Sequence, residues 1–214
     1  MKSKELKILR KRIANANKCE DLLKGIDDAT SFSFIPPSSE NEDTAQRKEL
    51  SIVFTHSKKI TEARWKDCLL LFENNMGNMY RNSSWGLDME AKSEEMKHEK
   101  ARYLLAIDND ENLAGFVHFR FEYDDDESPS CAVLYIFEIQ IEADYRRCGL
   151  GKQLMGIAER IGREQSMTKV VLTVFKTNQQ AMGFYTKKLQ YEIDELSPSK
   201  FGENADYEIL SLKL

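Results

Sequence analysis

The sequence predicts a mixed α/β fold whose sheet is antiparallel in its first half and parallel in its middle. Three observations predict it. The runs Arg102–Ile107, Leu113–Tyr123 and Ala132–Ile141 follow one another closely, joined by the turn residues Asp108-Asn109-Asp110-Glu111-Asn112 and by the polar stretch 124–130, as an antiparallel meander would be. Residues 149–165 then place Leu150, Leu154, Ile157, Ala158 and Ile161 on one helical face, and Lys169–Phe175 is a β-branched run, so strand, glycine turn, helix and strand make a βαβ unit. A chain of 214 residues that is 41% hydrophobic has enough apolar material for one sizeable core.

In chain order, Leu6, Leu9, Ile13, Ala16 and Leu23 recur at helical steps with a basic outer face, so residues 1–26 read as an amphipathic helix docked on the body. Its basic residues, Arg10-Lys11-Arg12 among them, suit a solvated face; a nuclear-import patch or a nucleic-acid arm would use the same side chains. Residues 27–48 turn polar, with Pro36-Pro37 and then Ser38-Ser39-Glu40-Asn41-Glu42-Asp43, and read as a linker. The main domain is 49–214. It opens with a strand over 49–56 and a helix over 61–79, whose buried face draws on Ala63, Leu69, Leu70, Phe72 and Met76. A second, polar helix covers 88–100. After the βαβ unit, a helix over 179–188 and short strands over 191–194 and 207–212 finish the chain.

Composition excludes several classes of function. The longest apolar runs, 68–72 and 131–137, fall far short of the roughly 20 residues of a membrane-spanning helix. Met1-Lys2-Ser3-Lys4 leads into no apolar stretch and position 2 is not Gly, so neither secretion nor myristoylation is expected. The expectation is a cytoplasmic and nuclear protein without a membrane partner. Cys19, Cys68, Cys131 and Cys148 are scattered and read as reduced thiols, and His56, His98 and His118 stand equally far apart, so no metal is expected. The net charge of −5 hides an asymmetry: residues 1–24 carry eight Lys/Arg against three acids, which leaves 23 basic and 33 acidic residues, a charge of −10, on the rest. Such a body attracts a basic peptide, and direct binding of nucleic acid is not expected.

One segment offers an anion site. Arg146-Arg147-Cys148-Gly149-Leu150-Gly151 follows a strand and opens a helix, where unpaired backbone N–H groups and the positive helix end attract negative charge. Gly151-Lys152-Gln153 lacks the Ser/Thr of a Walker loop, and Gly-x-Gly without a third glycine disfavours a dinucleotide fold. The ordered set Arg146-x-x-Gly149-x-Gly151, then Asn178-x-x-Ala181-x-x-Phe184-Tyr185 after the next strand, resembles the GNAT acetyltransferase superfamily. That resemblance implies a GNAT fold with two splayed central strands that admit acetyl-CoA. It further implies that Ile139, Gln140, Ile141, Glu142, Arg146, Arg147, Cys148, Gly149, Leu150, Gly151, Lys152, Gln153 and Asn178 hold the cofactor.

Further motifs narrow the resemblance: Asn78-Met79-Tyr80 with Ser84-Trp85-Gly86, His118-Phe119-Arg120-Phe121, Leu134-Tyr135-Ile136-Phe137-Glu138-Ile139-Gln140, Leu172-Thr173-Val174-Phe175-Lys176, Ser197-Pro198-Ser199 and Tyr207-Glu208-Ile209-Leu210. Together they resemble the NatD family of N-terminal acetyltransferases, which act on core histones beginning Ser-Gly-Arg-Gly, the H-four and H-two-A classes. The likeness runs from about Tyr80 to Leu210. It implies that Tyr80, Trp85, Tyr135, Phe137, Thr173 and Tyr207 surround the first residues of the peptide, although each aromatic also suits a plain core. Three departures stand out. Phe137 replaces a tyrosine that NatD can carry, Ser128-Pro129-Ser130 looks like an insertion after the acidic run 122–127, and Gln190 replaces a usual glycine before Tyr191. The acidic run would suit the arginine of the peptide or a solvated hairpin equally.

Glu138 is the clearest candidate for the chemistry, as the one carboxylate in an otherwise apolar strand. Burial disfavours a carboxylate's charge and raises its pKa, which makes a useful base near neutral pH; the alternative is a structural pair with Arg120. An α-amine, pKa about 7.8, is easier to deprotonate than a lysine amine at about 10.4, by about 3.5 kcal/mol, so one tuned carboxylate suits the α-amine. The backbone near Ile139 would receive the oxyanion and Tyr185 would protonate the departing thiolate. The sequence therefore points to a monomeric N-terminal acetyltransferase, needing no auxiliary subunit, that uses acetyl-CoA on histone tails. The alternatives are a GNAT enzyme acting on lysine or a small amine, and a noncatalytic acyl-CoA-binding chromatin module.

Overall fold

Helices cover both faces of one sheet, so the central strands are apolar on both sides. The computed structural model describes residues 3–35 and 47–214. In order, the elements are α1 (Ser3–Lys18), β1 (Ser31–Phe34), β2 (Lys48–His56), α2 (Glu62–Arg81), α3 (Met89–Lys97), β3 (Arg102–Ile107), β4 (Leu113–Tyr123) and β5 (Ala132–Ile141). They continue with α4 (Leu150–Glu164), β6 (Lys169–Phe175), α5 (Gln179–Gly183), β7 (Glu192–Ile193) and β8 (Tyr207–Lys213). Among the described residues eight strands form the sheet, in the order β1-β2-β3-β4-β5-β6-β8-β7. Only β5 and β6 pair in parallel, joined by the α4 crossover; the other neighbours are antiparallel.

The mixed sheet matches the sequence prediction, and β3, β4, β5 and β6 begin and end where the strand-like runs do. On one face α1 and α4 cover the sheet, with Leu9, Ile13 and Ala16 of α1 and Leu150, Leu154, Ile157, Ala158 and Ile161 of α4 buried in a common core. On the other face Cys68 and Leu71 of α2 and Met96 of α3 pack on Tyr103, Leu105 and Phe116. Thr61 caps α2 by accepting from the Arg64 N–H, and Asp88 caps α3 by accepting from Ala91.

Several expectations need correction. The first helix stops at Lys18, so Leu23 lies beyond it, half-buried, while Leu22 and Ile26 fill the core from irregular backbone. The stretch expected to be a linker holds β1, which adds to the sheet against β2; its Pro-rich and acidic part, 36–46, lies outside the described residues. In α2 the buried face is Trp65, Cys68, Leu71 and Phe72, whereas Ala63 and Leu70 are exposed. Four consecutive apolar residues from Leu69 to Phe72 leave the helical phase open, and Trp65 with Cys68 decides it. The helix expected over 179–188 is the short α5 followed by one π-helical turn, Phe184–Lys188.

Two contacts position the site from outside it. Gln153 and Arg160 of α4 donate to the Asp28 and Asp27 carbonyls at 3.2 and 2.7 Å, tying the segment before β1 to that helix. Gly115 of β4 sits so close to β5 that a Cβ there would lie 2.7 Å from the Gln140 carbonyl oxygen. Gly115→Ala is therefore expected to push β4 from β5 and cost about 1–3 kcal/mol, read by urea unfolding.

Candidate active site

The parallel ladder between β5 and β6 has four rungs, from Val133 opposite Lys169 to Ile136 opposite Leu172, and then ends. Past that point β5 stays paired to β4 as far as Ile141, and β6 stays paired to β8 as far as Phe175. The two strands part, and alternate peptide groups of each face the gap rather than a neighbouring strand. A narrow cavity of about 90 Å³ lies there, lined by 136–140, 172–175, Met76, Tyr80, Trp85, Asn178, Ala181 and Tyr185.

A β-bulge sets which side chains enter it. Glu138 pairs with His118 while Ile136 pairs with Phe119, so Phe137 has no opposite number on β4. Without the extra residue, Phe137 and Glu138 would point to opposite faces. With it both turn toward α2 and α3: Phe137 stacks on His118 at 5.0 Å and Glu138 meets Lys92 of α3. Ile139 and Ile141 consequently pack into the core beneath α4.

Glu138 is only 5% exposed and fully engaged. Lys92 Nζ donates to its Oε1 at 2.8 Å and Gln140 Nε2 donates to its Oε2 at 2.8 Å. Burial pushes the Glu138 carboxyl above its usual range; the Lys92 charge and the two hydrogen bonds pull it part of the way back. Burial opposes the charge on Lys92, but Glu138 and Glu95, the latter 2.6 Å away, outweigh it and hold the amine protonated. The Lys92 ammonium also lies over the Phe72 and Tyr80 rings, 4.8 and 5.4 Å from their centroids. Arg120 is not the partner of Glu138: its guanidinium covers Phe137 at 4.2 Å and donates to the Glu95 carbonyl. His118, sandwiched between Tyr103 and Phe137, is kept neutral by burial.

The network continues to the glycine turn. Asn75 of α2 donates to the Gln140 side-chain oxygen at 3.0 Å, and Arg146 donates to Asn75 Oδ1 at 2.6 Å and to the Ile141 carbonyl at 3.0 Å. Arg147 and Gly149 take positive φ, +62° and +96°, and the first intrahelical bond of α4 runs from the Gln153 N–H to the Gly149 carbonyl. The N–H groups just before it have no helical acceptor and meet the helix's positive end. Gly151 keeps the turn close to Phe184, whose ring would lie 3.3 Å from a Cβ. Leu150 is buried, Cys148 donates to the Tyr145 carbonyl at 3.0 Å, and Arg147 and Lys152 are exposed. Ile141 and Glu142 lead into the turn from β5.

Aromatic rings close the other side. Trp85, 48% exposed, packs against Phe175 and Tyr207 at 5.0 Å each and against Tyr80 at 5.9 Å. The Ser84 N–H donates to Asp206 at 2.8 Å, which ties this loop to the start of β8, and Glu208 accepts from Ser197 and Ser199 at 2.6 Å each. Tyr135 shares a 2.5 Å hydrogen bond with Thr173 across the mouth of the ladder. Asn178 accepts from the Ala181 N–H at 3.1 Å and caps α5. Tyr185 is buried, and that burial, reinforced by the charge of Glu138, keeps its phenol protonated.

The structure thus brings Tyr80, Trp85, Phe137, Glu138, Ile139, Gln140, Thr173, Asn178 and Tyr185 to one cleft, with Tyr135 and Tyr207 at its edges. Sequence reasoning missed Met76, Phe175, Asn75 and Lys92. Phe175 shares the parity of Thr173 on β6, which would have shown it; Lys92 sat on a helix expected to be merely polar. In the run 122–127, Asp124 accepts from the Ser130 and Cys131 N–H groups and Asp125 from Glu127 and Ser128, so these two acids build the hairpin. Among the described residues no group of three or more His, Cys, Asp or Glu could hold a metal ion.

A profile of the acetyltransferase (GNAT) family matches residues 63–191. The chain belongs to the GNAT acetyltransferase family. It is 29% identical over 103 residues to the N-alpha-acetyltransferase daf-31 of Caenorhabditis elegans, a match covering 48% of this chain and 55% of that protein. The chain spans about half the length of this curated relative. Among solved GNAT-like structures, NAA60 of Arabidopsis thaliana with a bisubstrate analogue shares 16% identity at a TM-score of 0.54, covering 76% of this chain and 99% of that one. The PaiA N-acetyltransferase of Thermoplasma acidophilum with coenzyme A shares 15% identity at a TM-score of 0.53, over 77% and 99%. These two likenesses concern the GNAT fold.

Lys92→Met is expected to leave Glu138 buried without its cation. Its carboxyl should then titrate at higher pH than in the parent, read by carbon NMR of the Glu138 side chain. With the folded-state value above the unfolded one, the variant should lose stability as pH rises through the carboxylate range, by about 3–5 kcal/mol at most.

Proposed function

We propose that this GNAT enzyme is an N-terminal acetyltransferase of the NatD type, moving acetyl from acetyl-CoA to the free α-amine of histone tails that begin Ser-Gly-Arg-Gly. The observation that carries the reading is Glu138: one buried, ionisable carboxylate where two parallel strands part, beside an aromatic wall. The similarity to an N-alpha-acetyltransferase supports an α-amine acceptor, and the NatD-like motifs from Tyr80 to Leu210 support the histone class.

The residues fit a coenzyme A diphosphate at the start of α4, where the turn is narrowed by Gly149 and Gly151 and flanked by exposed Arg147 and Lys152. Bound acetyl-CoA would supply an activated acetyl thioester. Glu138 would draw a proton from the incoming α-ammonium, directly or through water, and backbone N–H groups of β5 near Ile139 would face the developing oxyanion. Tyr185, protonated and close to Glu138, would donate to the leaving thiolate. Lys92 keeps Glu138 ionised until a substrate amine takes its place beside the carboxylate. Tyr80, Trp85, Tyr135, Phe137, Thr173 and Tyr207 would surround the first peptide residues. The enzyme would act as a monomer in cytoplasm and nucleus.

Ser-Gly-Arg-Gly peptides with free and blocked N-termini test the assignment. Turnover should need the free amine, and acetylation of the blocked peptide at an internal lysine alone would reject it. Glu138→Gln should lower kcat by about 10²- to 10⁴-fold while acetyl-CoA still binds. Activity of the parent should fall as pH drops through the raised Glu138 value, because only the ionised carboxylate accepts a proton.

A further inference from the structure

A second cleft lies away from the acetyl-transfer site, where α1 crosses the ends of β2 and β3. His56, the last residue of β2, faces Arg102, the first of β3, across the ladder. The cleft encloses about 570 Å³ and is lined by Arg10, His56, Lys58, Lys59, Lys100 and Arg102. Two carboxylates also line it, Glu20 and Glu99, so five permanent cations meet two acids on a chain whose overall charge is −5. Both acids are already taken: Glu20 accepts from Lys59 at 2.5 Å and Glu99 from Lys58 at 3.3 Å.

Arg102 is only 3% exposed. Its Nη2 donates to the Asn17 carbonyl at 2.8 Å, but its Nε and Nη1 have no partner among the described residues. His56 is 9% exposed and its Nε2 is likewise unpartnered. A buried donor without an acceptor is costly, more so on a charged group, so the Arg102 guanidinium in the wall of a cationic cleft calls for an anion. His56 beside it hydrogen-bonds the Glu20 backbone and offers Nε2 as a donor once an anion draws it to its protonated form. Guanidinium and ammonium groups together match phosphate oxygens, the first by paired donation and the second as point charges. The concave shape and the acidic body beyond it favour a compact ligand over an extended polyanion.

We propose that this cleft binds a small polyanion, a molecule bearing two or more phosphate groups, on Arg102, His56 and the surrounding lysines. Such a ligand would bridge α1 to β2 and β3. His56 reports it directly, because its imidazole is now held below the usual value by burial and by the charges of Arg102 and Lys59, with Glu20 opposing them and the Phe54 ring 5.0 Å away. An anion reverses that balance.

Inorganic phosphate and tripolyphosphate are titrated into the full chain while the His56 ring resonances are followed. The expected result is a saturable shift, at least about tenfold tighter for tripolyphosphate, weakening with added salt, with His56 titrating at higher pH in its presence. The double variant Arg10→Gln, Lys59→Gln changes only surface side chains; it should unfold at the parent temperature and bind at least about tenfold more weakly. The start of α4 also attracts anions, so Arg147→Gln serves as the control and should leave the His56 response intact. No His56 response at millimolar tripolyphosphate overturns the proposal. So does a response that survives the double variant, or one lost with Arg147→Gln. None of these readings depends on acetyl transfer.

Discussion

Two neighbouring strands in the middle of a sheet cannot part without something holding them apart, because each leaves backbone donors and acceptors without a ladder partner. Here the outer partners do the holding. β5 is fixed by β4 through Ile141, and β6 by β8 through Phe175, so each remains a strand after the other has left it. The bulge at Phe137 adds twist and turns Phe137 and Glu138 to the same face. The cleft itself, and the direction in which Glu138 faces, depend on this opening and on the extra residue beside it.

An opening of this kind creates an electrostatic problem. Glu138 is only 5% exposed, and burial drives an isolated carboxylate toward its neutral form. Lys92 supplies the missing charge from a different layer, Gln140 fixes the second oxygen, and Asn75 connects Gln140 to Arg146 at the glycine turn. Glu138 and the glycine turn are thus ends of one chain of hydrogen bonds, so a shift of one is felt at the other.

Much of this was legible in the residues. Strands rich in apolar and β-branched residues and bounded by polar turns announce themselves, which is why β4, β5 and β6 have the bounds the sequence suggests. Glu138 stood out because a charge in such a run must have a reason. What stayed hidden is what periodicity cannot express. Four consecutive apolar residues left the phase of α2 open, the four residues of β1 sit in a polar stretch, and a bulge is a pairing between strands rather than a property of one. Lys92 was invisible for a related reason: a lysine on a short polar helix looks solvated until the fold places a carboxylate beneath it.

The carbonyls of Asp27 and Asp28, held by Arg160 and Gln153, give the first thirty residues a part in the enzyme proper. They clasp the helix behind the glycine turn, at Gln153 about one helical turn in and at Arg160 about three. Trimming the chain at its front would loosen that clasp, so damage far from the reacting atoms in sequence would surface as a weaker grip on the acyl donor.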